Sequence, residues 1–224
     1  MIKKYNFRSV ISCCVIWILL INLVGAYACV YAQENRDSEI TYNKINANTL
    51  EVSYEDKIET IKVEDLNETI SQVSVIGDQG ERTIYTVDKE NRTIRISGND
   101  TVFSLDEFLE EDDNLQGQLR ANGSTVTKKI SFAKIKKALT GTATVATIAG
   151  IVISVLTGLG YALPGMLAVL TEKVGQISTV VALVTKGSSS HGLAVKMKSY
   201  MRSTTKNGKV YKYKAWKVTN VSKY

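Results

Sequence analysis

Ala138–Thr171, ALTGTATVATIAGIVISVLTGLGYALPGMLAVLT, carries no charged residue, and its reading decides the fold. A helix needs about 20 apolar residues to cross a bilayer, and this run is longer. It is not uniform. Gly158-Leu159-Gly160 and Pro164-Gly165, which holds the only proline of the chain, divide it into two helix-length pieces. In the first, roughly 138–157, Ala146, Gly150, Ser154 and Gly158 recur at strict four-residue spacing. Small residues so spaced form a groove into which another helix presses closely within lipid. Val145, Ile148, Val152 and Val155 are offset from that groove. The second piece, roughly 163–185, holds Leu163, Leu167, Leu170, Val174, Ile177, Val181 and Val184 in alternating steps of four and three. That is the apolar stripe of an amphipathic helix, with Glu172, Gln176 and Thr179 on the other side. Two readings stay open: an apolar hairpin that inserts into a membrane, and the buried hairpin of a soluble core.

Cations stand on both sides of this run. Lys128, Lys129, Lys134, Lys136 and Lys137 fall within ten residues, among Ile130, Phe132, Ile135 and Leu139. On the far side, Lys186 to Gly192 reads as a hinge by composition, with the lone His191 a solvated loop residue. Leu193 to Lys217 then reads as a β-hairpin about Asn207-Gly208, a strong two-residue turn signal. Centring the turn there sets Lys206 opposite Lys209, Arg202 opposite Tyr213 and Tyr200 opposite Ala215. One face carries Tyr200, Arg202, Tyr211 and Tyr213; the other carries Met197, Met201 and Trp216. Lysines at 196, 198, 206, 209, 212, 214 and 217 surround them.

Cations interleaved with Tyr and Trp suit an anionic membrane interface. Aromatic rings settle there at headgroup depth, and each cation contributes about 1 kcal/mol. The same composition suits single-stranded nucleic acid, or a hairpin that is merely solvated. The N-terminus favours the membrane. Lys3, Lys4 and Arg8 precede an apolar core from Val10 to Val24, and Val30-Tyr31-Ala32 is a small-x-small site before polar Gln33. Export with cleavage between Ala32 and Gln33 is the expectation, and no nucleic-acid partner is expected. All three cysteines (Cys13, Cys14 and Cys29) lie in this signal, so residues 33–224 have none. Five Asn-x-Ser/Thr triplets, at Asn67, Asn91, Asn99, Asn122 and Asn220, fit chance in a chain so rich in Asn, Ser and Thr.

The formal charge of +6 conceals a split. Residues 33–127 hold 21 acidic and 9 basic residues, a net of −12, whereas 128–224 hold 1 acidic and 16 basic residues, a net of +15. A division this sharp suggests two units with different tasks and points the basic one at an anionic surface. Within the acidic part, Leu50, Val52 and Tyr54 alternate with polar residues. Thr83–Val87 and Thr93–Ile96 flank the loop Asp88-Lys89-Glu90-Asn91. This is the pattern of a small antiparallel β unit. Ile58, Ile61 and Val63 fit either a strand or a short helix. Leu105–Asp113 reads as an acidic helical stretch, and 114–127 as a linker open to a processing cut.

Nothing in residues 33–224 points to an enzyme. They offer no thiol, one isolated histidine and no paired carboxylates of a recognisable kind. No catalytic residue, metal ligand or cofactor is expected. The acidic neighbours at 110–113 lack the alternating ligands of a calcium loop.

The expected architecture is α+β: a small antiparallel β unit, then a Gly-rich apolar helical hairpin, then a basic C-terminal β-hairpin. Its parts are a signal peptide (1–32), an acidic β-rich propeptide-like domain (33–113), a linker (114–127), a membrane-active helical segment (128–186) and a cationic aromatic tail (187–224). The layout, with its Gly/Ala/Val/Ile run at 143–165 and its Lys/Tyr-rich tail at 199–217, resembles secreted Gram-positive bacteriocin precursors of the larger, unmodified geobacillin type. It departs from the pediocin-type bacteriocins in lacking their YGNGV box, and shows no double-glycine leader.

The resemblance implies membrane-permeabilising antibacterial activity at a target bilayer, with self-association and an immunity protein as possible company. On that reading Lys128, Lys129, Lys134, Lys136, Lys137, Lys196, Lys198, Arg202, Lys212, Lys214 and Trp216 bind the anionic surface. The groove Ala146/Gly150/Ser154/Gly158 and the stripe Leu163, Leu167, Leu170, Val174 and Ile177 insert and pack. The acidic half masks the basic half before use. Two other readings compete: a single-span envelope protein, and a soluble exported scaffold.

Overall fold

Alternation of apolar and polar residues in the acidic half builds seven short strands in succession. They are β1 (Thr41–Asn46), β2 (Thr49–Tyr54), β3 (Lys57–Asp65), β4 (Ile70–Ile76), β5 (Arg82–Asp88), β6 (Thr93–Ile96) and β7 (Asn99–Ser104). The computed structural model describes residues 40–54, 56–110, 123–161, 166–177, 179–187, 189–206 and 209–224. The export signal, the Ala32/Gln33 junction, most of the 114–127 linker, Leu163 with Pro164-Gly165, and the Asn207-Gly208 turn lie outside the described residues.

Each strand pairs antiparallel with the next, giving a seven-stranded meander in chain order. Leu50 stands opposite Ile61 and Ile61 opposite Val75. Val73 stands opposite Tyr85, and Val87 opposite Ile94, itself opposite Phe103. Directly opposed residues share a face, so these side chains make one continuous apolar surface. All of them are buried. Ile58, Ile61 and Val63 belong to β3, which closes the helix alternative for that stretch.

After β7 come α1 (Leu105–Phe108), β8 (Thr125–Ser131), α2 (Phe132–Ala138), α3 (Val145–Gly158), α4 (Met166–Gly175), α5 (Val180–Lys186), β9 (Gly192–Lys206) and β10 (Lys209–Lys223). The last two strands and β8 form a second antiparallel sheet in the order β10-β9-β8. Helix α3 lies across β3–β6 of the first sheet, and α4 packs between α3 and β10. Residues Ile40–Tyr224 thus share one core, a layer of helices between two sheets.

The expected α+β arrangement is corrected on two counts. First, half of the described residues are strand and about a quarter are helix, with ten strands in two antiparallel sheets among them. Second, the expected helical hairpin is absent, because its second arm is two helices, α4 and α5, set at 78° to one another. Of the expected acidic helix at 105–113, α1 is a single turn ending at Phe108 and residues 111–113 lie outside the described residues, while β8 takes up the last residues of the linker.

Helix α3 has identifiable ends. Thr144 is its N-cap, and its hydroxyl accepts from the Thr147 amide at 3.1 Å. The Thr147 hydroxyl accepts from the Thr144 amide at 2.8 Å, completing a reciprocal capping box. At the other end the Tyr161 amide donates to the Leu156 carbonyl and the Gly160 amide to the Thr157 carbonyl, with Gly160 at φ +80°. This is the Schellman termination, which needs a left-handed residue that glycine supplies without strain. The break read at Gly158–Gly160 is therefore a helix stop.

Candidate anionic-surface site on the C-terminal ribbon

In the second sheet β8 pairs with β9 from Gly192 to Lys198, with Thr125 opposite Lys198 as the last pair. Beyond Ser199, the described residues of β9 pair only with β10, so the two strands continue as a ribbon. Tyr213 stands opposite Arg202, Ala215 opposite Tyr200 and Lys209 opposite Lys206, the register expected for a turn at Asn207-Gly208.

Side chains alternate between two faces of this sheet. Val126, Ile130, Leu193, Val195, Met197, Ser199, Trp216 and Val218 point inward and are buried. The outer face carries Lys129 of β8, then Lys196, Lys198, Tyr200 and Arg202 of β9, then Lys209, Tyr211, Tyr213 and Lys217 of β10. Residues two apart on one strand lie about 7 Å apart, so cations and phenols recur at close, regular intervals. Tyr211 and Tyr213 are 50% and 41% exposed, high for aromatic side chains. None of the three strands that make this face contains an aspartate or glutamate.

The root of the ribbon is held by contacts between residues far apart in the chain. Ser124 Oγ and Ser199 Oγ lie 3.0 Å apart, and the Ser199 amide donates to the Ser124 carbonyl at 2.9 Å. Lys214 Nζ donates to Ser124 Oγ at 3.2 Å and lies 4.9 Å from the centre of the Trp216 ring. Trp216 meets Tyr161 edge-on, with ring centres 5.2 Å apart. An edge-to-face pair contributes about 1 kcal/mol beyond its buried area. Tyr161→Leu is expected to lower Tm by about 2–4 °C, the shift for about 1 kcal/mol in a chain of this size. The check is a thermal melt beside a lipid-binding assay, in which binding stays at the wild-type level.

The expected surface residues thus divide. Lys129, Lys196, Lys198 and Arg202 share the outer face. Lys212 and Lys214 are on the other side of the ribbon, and Trp216 is a core residue at 9% exposure. Lys134, Lys136 and Lys137 project from the solvated side of α2, whose opposite side buries Phe132, Ile135 and Ala138. Lys137 Nζ lies 5.9 Å from the centre of the Phe103 ring. Lys128 helps hold the Asp106 carboxyl below its ordinary range, an effect led by the hydrogen bond from Arg92. Lys209, Lys217 and the three tyrosines complete the outer face.

The expected insertion residues are also placed. Ala146, Gly150, Ser154 and Gly158 are all buried; Gly150 is pressed against Val75 and Tyr85 of the first sheet, and Gly158 against Val87 of that sheet and Leu105 of α1. Leu167, Leu170 and Val174 are buried in α4, and Ile177 is half-buried against the same core. Helix α3, at 14 residues, spans about 21 Å, less than the roughly 30 Å of a bilayer core. Among the described residues no single helix is long and apolar enough to cross a membrane; α4 and α5 pass only as a bent pair. The ion pairs between described residues, Lys62–Glu64, Lys89–Asp65 and Arg92–Asp106, all fall within the acidic half. Comparison with known proteins finds no matching family model, curated relative or solved structure.

Proposed function

We propose that the exported chain docks on anionic bilayers through the outer face of β9 and β10, as the first step of a membrane-directed antibacterial action. The observation that carries this reading is the exposure of Tyr200, Tyr211 and Tyr213 among Lys196, Lys198, Arg202, Lys209 and Lys217 on one face. Lysines alone have a simpler purpose, since charged residues protect an exposed strand edge from pairing with other chains. Exposed phenols do not serve that purpose. They do suit the headgroup layer, where one end of the ring is apolar and the other wet.

Docking and permeabilisation are separable. Docking uses a surface that is already exposed, whereas permeabilisation requires α3 and α4 to leave the two sheets. The burial of α3 favours a second reading, an exported binding scaffold that docks without inserting.

The test uses residues 33–224 with vesicles of phosphatidylcholine, with and without phosphatidylglycerol. Binding that requires phosphatidylglycerol and weakens with salt is the expected result, because exposed charges are screened within about 10 Å at 0.1 M salt. Dye release on binding supports the antibacterial step, and binding without release leaves the scaffold. Equal affinity for neutral vesicles, or no affinity for either, removes the docking reading.

A further inference from the structure

A second feature lies on the first sheet, away from the ribbon. A cleft of about 310 Å³ opens between the β4–β5 turn and the loop that leads into α3. That is the lower end of the roughly 300–1,000 Å³ typical of small-molecule sites. Its walls are polar where such sites are usually apolar. Glu59, Asp78, Glu81, Tyr85 and Thr144 line it, with Lys57 as its one cation.

Glu59 has a structural task there. Its carboxylate accepts from the Thr144 hydroxyl at 3.0 Å and so ties β3 to the N-cap of α3. Burial is the main cause that pushes the Glu59 carboxyl above its ordinary range. The Thr144 hydrogen bond opposes this, Glu81 and Asp78 add to it, and Lys57 opposes it.

The other polar groups have no such task. Asp78 and Glu81 make no ion pair with any described residue. The Glu81 carboxylate lies against the backbone of Gly77, where a Cβ would collide with it, so the glycine lets the acid turn along the cleft wall. Tyr85 is 1% exposed and lines the cleft, and its hydroxyl makes no hydrogen bond to any described residue. A hydroxyl left free at a cleft wall is available to a bound polar group.

We infer that this cleft is a binding site for a small hydroxylated organic cation of the amino-sugar type. The ammonium lies between Glu59, Asp78 and Glu81, and a ligand hydroxyl pairs with Tyr85 Oη. Three carboxylates against one lysine select a cation over an anion or a neutral sugar. The threonine-rich wall, with Thr83, Thr140, Thr142, Thr144 and Thr147, suits a polyol over an apolar amine.

The test titrates residues 33–224 with glucosamine, N-acetylglucosamine and glucose, followed by calorimetry. Glucosamine is expected to bind at least about ten-fold more tightly than the other two, since a hydrogen bond to a charged group contributes about 1.5–3 kcal/mol. Glu81→Gln and Tyr85→Phe are each expected to weaken it by about ten-fold while Tm stays at the wild-type value. Affinity should fall as acidification protonates Glu59. Equal affinity for the three sugars, no binding, or full affinity in Glu81→Gln overturns the assignment. Glu59→Gln is the less clean variant, because it also touches the α3 cap.

Discussion

Gly158→Val lowers the melting temperature by about 6–12 °C, the expected result of placing a branched side chain where α3 is pressed against its neighbours. A Cβ at Gly158 would sit 2.3 Å from Leu105 Cδ1 and 2.9 Å from Val87 Cγ1. Neither neighbour can swing away, because both are fully buried. Overpacking of this kind costs about 3 kcal/mol at the upper end of its usual range. Valine recovers only part of glycine's unfavourable helix propensity, which is about 1 kcal/mol relative to alanine. For a chain of this length each kcal/mol moves Tm by about 2–4 °C. Gly150→Ala is the milder companion. Its Cβ would lie 2.8 Å from Val75 Cγ2 and 3.2 Å from Tyr85 Cε2, and the propensity gain offsets part of that contact. A thermal melt decides the matter. An unchanged Tm for Gly158→Val would mean that α3 is not seated on β5 and α1.

The second large effect concerns the ribbon. Replacing Lys196, Lys198, Arg202 and Lys217 together with glutamine removes four cations from the outer face. At about 1 kcal/mol for each cation near an anionic surface, binding to phosphatidylglycerol vesicles should weaken by roughly a thousand-fold. Tm should hold, because Lys196, Lys198, Arg202 and Lys217 are exposed and form no ion pair with a described residue. The control is the same number of replacements on α2 and its flank, at Lys128, Lys134, Lys136 and Lys137. If that control weakens binding as much as the ribbon variant does, affinity follows net charge and the outer face has no special role. Vesicle co-sedimentation at two salt concentrations reads both variants.

Much of this arrangement is legible in the residues themselves. The alternation at Leu50 and Val52 marks β2, and Asn207-Gly208 sets the whole register of the ribbon. The glycines at 158 and 160 stop α3 where they should. Two features are not legible, each for a physical reason. A groove of small residues states only that something approaches closely. Ala146, Gly150, Ser154 and Gly158 serve a sheet as well as a helix, and the strands that α3 packs against lie some 60 to 100 residues earlier in the chain.

The stripe from Leu163 to Val184 likewise looks continuous in steps of four and three. The chain instead ends α4 at Gly175, and α5 buries Val180 and Val184 while Val181 is only half-buried. The apolar phase slips at the break, which spacing alone does not report. The ribbon root is invisible for the same kind of reason, since Ser124 and Lys214 meet across 90 positions.

The order of these parts along the chain matters for how the molecule survives its own synthesis. Every strand of the meander pairs with its immediate successor, so the first sheet is assembled from short-range closures. It is also synthesised first. By the time α3 emerges, the surface made by Val75, Tyr85 and Val87 already precedes it, and the least soluble segment of the chain meets a waiting receptor. Reversing that order, by circular permutation that places residues 123–224 ahead of 40–110, would leave the helix unattended until the last strand arrived. The cost would appear as aggregation during production, with the native contacts unchanged in whatever fraction reached them.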